Sequence, residues 1–331
     1  MSGSLVRLVE AQRLTEAGRY QELLEYLEPA GGDVLNQSPT LALLYGSANA
    51  RLGRDEHATT WVDVALDRAK EQGDRAVEAR ALNLHGAIAL EAGRPEEAES
   101  FLMRGLDAAR RQDDHATVGR CSNNLGIIAD LNGEYSQALS WYRLALAAYQ
   151  QAGLDRGVAE TRHNLAMTLL AQGKYKEALG ESDHAVKETD RLGDLSLQAL
   201  ALAGRAEIRV EAGDAAFGRR EVEWALSKRR EVGDVVGEAY DLRVLAMALA
   251  ASGELQEAEV LLRGVIEKGE ELSRPYLAAT AGRELASLLA ESGRLDEARQ
   301  VAQEAQEHFE LLGAQAEAAK LEELVEGLLR G

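Results

Sequence analysis

Small residues recur along the chain in three columns whose spacing repeats every 40 positions. The frame is a set of glycines, Gly53, Gly93, Gly133, Gly173, Gly213, Gly253 and Gly293, with Gly18 ahead of them. Seven places before each glycine stand Ala11, Gly46, Gly86, Gly126, Ala166, Ala206, Ala246 and Ala286. Five places after stand Ala58, Ala98, Ala138, Ala178, Gly218, Ala258 and Ala298, with Leu23 in the first unit. Twelve places after, only Val265 is larger than alanine. The last two columns lie about two helical turns apart and share one face of a helix. A second set of turn residues follows each glycine by twenty: Gly73, Gly153, Gly193, Gly233 and Gly313, with Asp113 and Ser273 in two of the places. Two turns per period with helical patterning between them predict a repeated helix-turn-helix unit. Pro39, Pro95 and Pro275 stand at predicted helix starts, where proline is tolerated. The irregular stretch EPAGGDVLNQSP, 28–39, is expected to be a loop or hinge.

Composition agrees with an all-α chain. Its 331 residues include four prolines and 5% aromatics, and strong helix formers dominate. The balance of 37 Lys and Arg against 56 Asp and Glu, a formal net charge of -19, argues against an extended nucleic-acid or anionic-membrane footprint. No apolar run approaches the roughly 20 residues of a membrane span. Cys121, the single cysteine, can form neither an internal disulfide nor a Cys-rich metal site. The N-terminus lacks the pattern of a secretion signal, and a cytoplasmic location is expected.

Small residues at these three offsets around a turn glycine, in phrases such as GEYSQAL and GKYKEAL with Tyr135 and Tyr175 after the turn, resemble the tetratricopeptide repeat (TPR). The 40-residue period is similar to the extended form carried by kinesin light chains, spindle-orientation adaptors of the Gα-binding type and bacterial peptide-sensing regulators. The resemblance implies a right-handed α–α superhelix over the whole chain: about eight helix pairs and a capping helix. A single solenoid of 1–331 is expected, with a less regular first pair and loop in 1–38, seven 40-residue repeats in 39–313 and a cap in 314–331.

In this family the first helix of each pair lines the concave side. The matching offsets place Arg80, Asn83, Arg120, Asn123, Asn124, Ile127, His163, Asn164, Met167, Arg243, Met247 and Arg283 in the groove. Four amides fall within three consecutive repeats. An amide offers both a donor and an acceptor and can hold a peptide backbone whatever its side chains. Each hydrogen bond contributes only about 0.5–1.5 kcal/mol net, so several are needed. The arginines can select carboxylates, and the methionines adapt to varied apolar groups. A solvated helix face needs no ligand, but asparagine is a poor helix former and four clustered on one face call for a reason. The groove positions carry no lysine, which argues against a clamp for a C-terminal carboxylate.

The column Trp61, Phe101, Trp141 reads as packing before it reads as a partner stripe. His85, in a column otherwise holding Leu125, Leu165, Leu245 and Leu285, reads as a core histidine. The repeat around 204–224 departs furthest from the pattern, through Arg205, Phe217 and Gly218, and is either a flexible joint or a specialised contact. Lys228-Arg229-Arg230 reads as an exposed helix end. No HExxH, GxxxxGK[ST], GxSxG or GxGxxG motif is present, and the six histidines are scattered. The expected function is therefore non-catalytic: a scaffold or adaptor binding an extended or helical segment of a partner protein, with no cofactor, no metal, no nucleic acid and no membrane insertion. A peptide- or ligand-switched bacterial regulator and a self-associating homo-oligomeric scaffold are the alternatives.

Overall fold

A computed structural model describes residues 2–330. Two compact units, 1–125 and 126–331, divide inside one helix. The first contains α1 (Ser2–Glu16), α2 (Tyr20–Leu27), a 3-10 turn (Glu28–Ala30), α3 (Gly31–Gln37), α4 (Pro39–Arg51), α5 (Asp55–Gln72), α6 (Arg75–Glu91) and α7 (Pro95–Arg110). Helix α8 (His115–Leu131) crosses the division. The second contains α9 (Tyr135–Ala152), α10 (Asp155–Ala171), α11 (Tyr175–Leu192), α12 (Leu195–Glu211), α13 (Ala215–Val232), α14 (Val235–Ala251), α15 (Leu255–Glu271), α16 (Pro275–Glu291), α17 (Leu295–Leu311) and α18 (Gln315–Arg330). Among the described residues there is no strand, and the architecture is an all-α stack of helix pairs.

The local chemistry explains where the helices stop and start. The turn glycines have positive φ, 70° at Gly93 for example, a conformation glycine adopts without steric cost. Asp113 and Ser273, which stand in for glycine, take the same left-handed conformation at φ 51° and 53°. Aspartates then cap the next helices: Asp74 accepts from the Val77 amide at 3.1 Å and Asp234 from the Gly237 amide at 2.8 Å.

Residues 28–37, expected as part of a loop, form the 3-10 turn and α3 instead. Leu35 is buried and Val34 packs against the same cluster as Leu27 and Leu41. Tertiary burial outweighs the poor helix propensity of the two glycines. Ser38 accepts from the Leu41 amide at 3.4 Å and caps α4, with Pro39 in its first turn.

The small-residue columns set how closely the helices of a pair approach. A Cβ on Gly86 would lie 2.5 Å from Leu102, and one on Gly126 would lie 2.5 Å from the Tyr142 ring. The space withheld at one column is filled from the opposite helix, and Tyr142 and Leu102 are fully buried. In the first unit Trp61 and Phe101 pack against the cluster of Val62, Leu66 and Leu82, so this part of the aromatic column serves the core. His85 is buried, stacks on Phe101 with centroids 4.7 Å apart, and its Nε2 lies 2.9 Å from Asp63. Burial lowers its pKa. Trp141 packs in the same way against Leu139, Tyr142 and Leu165 in the second unit.

Within the second unit, α10, α12, α14, α16 and α18 each touch the next and form one layer, with α11, α13, α15 and α17 behind it. Helix α18 covers the last pair through Ala318 and Leu321. Its start reaches back to the end of α8, where Leu131 joins the cluster of Phe309 and Leu321. A Cβ on Gly133 would stand 3.3 Å from that of Ala316.

Candidate functional site

All the groove positions named from the sequence fall on first helices. In the first unit, Arg80 and Asn83 lie on α6 and Arg120, Asn123 and Asn124 on α8. Arg80 turns back to donate to the Ala76 carbonyl at 3.2 Å. Asn83 is half-buried and its Oδ1 has no hydrogen-bond partner. Asn123 and Asn124 are half-buried and Arg120 is exposed. In the second unit, Ile127 packs beside Trp141 in the core cluster of Tyr142. His163, Asn164 and Met167 are half-buried on α10. His163 sits over α12, where a Cβ on Gly204 would lie 2.6 Å from its Nδ1. Burial lowers the His163 pKa to about 4 and keeps the ring neutral.

Arg243 and Arg283, the groove arginines of the second unit, are engaged within the chain and not free to meet a partner's carboxylates. Arg243 on α14 is buried, donates to Glu207 of α12 at 2.7 Å, and lies 3.6 Å from Glu284 of α16. Its other amino group meets the Met247 sulfur at 3.2 Å. Arg283 donates to the adjoining Glu284 at 2.8 Å and pairs with Glu317 of α18, which accepts from Lys320 at 2.6 Å. Glu207, Arg243, Glu284, Arg283, Glu317 and Lys320 thus alternate in sign across four successive helices of the layer. Burial opposes the charge on Arg243, yet Glu207 and Glu284 hold its pKa above the ordinary value. Burial likewise opposes the Glu284 charge, but Arg283 and Arg243 hold that carboxyl below its usual range.

A cavity of about 270 Å³ opens beside this row, lined by Val210, Glu211, Met247, Glu284, Ser287 and Leu288. Burial, then Glu284 and Glu207, push the Glu211 carboxyl above its ordinary range. Near the end of α8, Asp130 accepts from the Thr168 hydroxyl of α10 at 2.7 Å, and burial raises its pKa.

Glu207, which shares the groove-facing offset of Met167 and Met247, completes this row together with Glu284 and Glu317. A signal for two of them was present. Glu207 stands alone as a charge among Ser47, Ala87, Ile127, Met167, Met247 and Ser287, and Glu284 alone among Leu44, Leu84, Asn124, Asn164, Gly204 and Val244. A lone charge in an uncharged inward column needs a partner in a neighbouring repeat.

Two other readings meet the structure here. Arg229, expected at an exposed helix end, is buried: it donates to Asp234 at 2.7 Å and to Asp241 at 3.2 Å. The chain turns at Gly233, which brings Asp234, the cap of α14, and Asp241 within α14 over the end of α13. Cys121 is buried, and burial pushes its thiol up to about 12, far from a nucleophile's range.

Two tetratricopeptide-repeat family models match the chain, one over residues 77–151 and 122–187 and the other over 242–273. No curated protein matches it in sequence. Solved structures share the fold. A Rap protein complexed with competence and sporulation factor is 14% identical, with 100% of this chain and 98% of that chain covered and a TM-score of 0.66. The Rap conjugation gene regulator of plasmid pLS20, in complex with the Phr* peptide, is 15% identical over 85% of this chain and 76% of that one, TM-score 0.68. The apo quorum sensor NprR of B. thuringiensis is 16% identical over 99% of both, TM-score 0.58. Residues 77–187 and 242–273 are thus matched as tetratricopeptide repeats, and the 40-residue period, the paired helices and the shared fold carry the same helix-pair architecture along the described chain.

Proposed function

We propose that this protein is a non-catalytic interaction module that binds a segment of another polypeptide along its first-helix face. The observation that carries the reading is the cavity beside the charged row: a concave, partly apolar site in which Glu284 and Ser287 are held by their neighbours. Glu211 and Glu291 line it without an arginine of their own, and Met247 and Leu288 supply apolar surface. That lining suits a segment carrying both basic and apolar side chains, because an approaching cation relieves the unfavourable field at Glu211. Arg243 and Arg283 serve in this reading as struts that fix the glutamates. His163, Asn164 and Met167 extend the same face along α10. Arg80, Asn83, Arg120, Asn123 and Asn124 offer backbone hydrogen bonds and cations for a segment lying on the first unit. Two of the similar structures hold a peptide or signalling factor, which supports a polypeptide ligand.

The test is affinity capture from native lysate read by mass spectrometry. Wild type is compared with an Asn123/Asn124/Asn164 triple-alanine variant and with Glu211→Lys, each matched for thermal stability. A partner lost with both supports the reading; a partner retained by both sinks it.

A second reading, a regulator whose ligand changes the pitch of the stack, is favoured by one feature. The charged row couples α12, α14, α16 and α18, so a cation binding at Glu284 would compete with Arg243 and Arg283 and loosen three helix pairs together. Small-angle scattering that is unchanged at saturating partner would exclude it.

A further inference from the structure

We propose that α13 carries a second docking site, on the side of the stack away from the first-helix layer, for an acidic amphipathic segment of a partner protein. Phe217, Arg220, Trp224 and Lys228 follow one another at helical spacing and form a single stripe. Phe217 is 52% and Trp224 42% exposed, so neither ring serves the core. Arg220 lies 4.1 Å from the centre of the Phe217 ring, and Lys228 lies 4.9 Å from that of Trp224.

The repeats of the same chain act as internal controls. At the position of Phe217 they carry His57, Glu97, Gln137, Glu177, Glu257 and Glu297. At the position of Arg220 they carry Thr60, Ser100, Ser140, Gly180, Val260 and Gln300, none of them charged. The fold therefore requires neither an aromatic nor a cation here. Only this repeat replaces an exposed carboxylate or polar group with a ring and sets a cation one turn behind it.

Charge decides what fits. Helix α13 holds Arg219, Arg220, Lys228, Arg229 and Arg230 against Glu221, Glu223 and Glu231, a basic balance within a chain of net charge -19. Arg219 pairs with Glu223 and Glu254, Arg229 with Asp234 and Asp241, and Arg230 with Glu238. Among the described residues no carboxylate pairs with Arg220, which lies over the Phe217 ring. A segment covering the stripe must bring a carboxylate to Arg220 and apolar side chains to the two rings. Arg220 and Lys228, the latter 3.6 Å from Glu231, are too few to follow a phosphate backbone, which favours a polypeptide over nucleic acid. The helix is also held rigidly. Arg205 bridges Asp183 and Glu221, Arg209 pairs with Glu221 and Asp214, and Arg219 reaches Glu254 of the next pair at 2.7 Å. A stripe presented on a braced helix loses little freedom on binding.

The probe is a labelled synthetic peptide of about four helical turns, leucine and phenylalanine on one face and glutamate on the others, read by fluorescence anisotropy. A scrambled peptide of equal composition and a labelled DNA duplex are the comparisons. Wild type should bind the amphipathic peptide at least about tenfold more tightly than the scrambled one and lose affinity as salt rises. Phe217→Glu with Trp224→Glu, residues that related repeats carry at these places, should abolish that preference. Arg220→Gln, at an exposed position, should weaken binding in a variant whose folding is not at issue. Glu99→Gln, at an exposed position of α7, should leave it unchanged. No preference for the amphipathic peptide, tighter binding of the duplex, or equal affinity of the stripe variants would overturn the proposal. So would light scattering in which the stripe variants convert a wild-type dimer to monomer, since the occupant would then be a second copy of the chain.

Discussion

Arg229 and Asp241 form an ion pair between α13 and α14 in which both side chains are removed from water, at 7% and 1% exposure. Burial is the larger influence on Asp241 and raises its pKa to about 7, against the pull of Arg229. An aspartate in the unfolded chain titrates near about 3.9, so folding favours the protonated form. The stability this group contributes is full below about pH 4 and is lost as pH rises through about 7. Asp241→Asn should flatten that part of the profile. Urea unfolding followed across this range is the measurement, and a variant with the wild-type slope would refute the assignment. Arg229→Ala leaves Asp241 and Asp234 without their cation and should cost about 3–5 kcal/mol at neutral pH.

His163 acts in the opposite direction. Burial depresses its pKa to about 4, below the about 6.5 of an unfolded histidine. Its neutral form is the one that folds, so its contribution is present above about pH 6.5 and lost as pH falls towards 4. His163→Asn should make the protein less sensitive to mild acid. Unfolding midpoints compared on both sides of that window would show it.

The charged row gives a prediction about coupling. Arg243→Ala strands Glu207, while Glu284 keeps Arg283, and should destabilise by about 3–5 kcal/mol. Glu207→Gln, which keeps a hydrogen-bond acceptor, should cost less. A double-mutant cycle between Arg243 and Glu207 should return at least about 1 kcal/mol of interaction, and additive effects would show that the contact carries no energy.

Gly126 and Tyr142 divide a fixed volume between α8 and α9. Gly126→Ala places a methyl 2.5 Å from the ring and should cost about 1–3 kcal/mol. The pair Ala166 and Ser182, one repeat later, shows the alternative partition. Adding Tyr142→Ser should therefore remove the steric part of the penalty while exposing the price of the lost ring. Thermal melts of the single and double variants separate the two effects.

Ser273 holds a left-handed backbone at φ 53°, where most repeats use glycine. Ser273→Gly should stabilise by up to about 1 kcal/mol, because glycine adopts this conformation without the clash of a Cβ. A melting temperature that does not rise would mean that the serine side chain compensates.

The 40-residue helix pairs and their turns were legible in the residues, because each is governed by local chemistry. A glycine every 40 residues specifies the left-handed turn, and three small-residue columns specify where backbones approach. The first-helix position of Asn83, Asn124, Asn164, Arg243 and Arg283 followed from that register. Residues 28–37 escaped local reading: Gly31 and Gly32 speak against a helix, and only the burial of Leu35 against Leu27 and Leu41 overrules them.

What the chain by itself determined is therefore the repeating unit and the face each side chain occupies, both properties of spacing along one helix. Tertiary structure alone decided which charges meet. Arg243 and Arg283 stand at the same offset in neighbouring repeats, and nothing in that spacing says that Glu207, Glu284 and Glu317 complete a row with them. Arg229 likewise looked solvated until α14 folded over it. Pairing between helices depends on distances set by packing, and at those distances burial turns a surface charge into a strut.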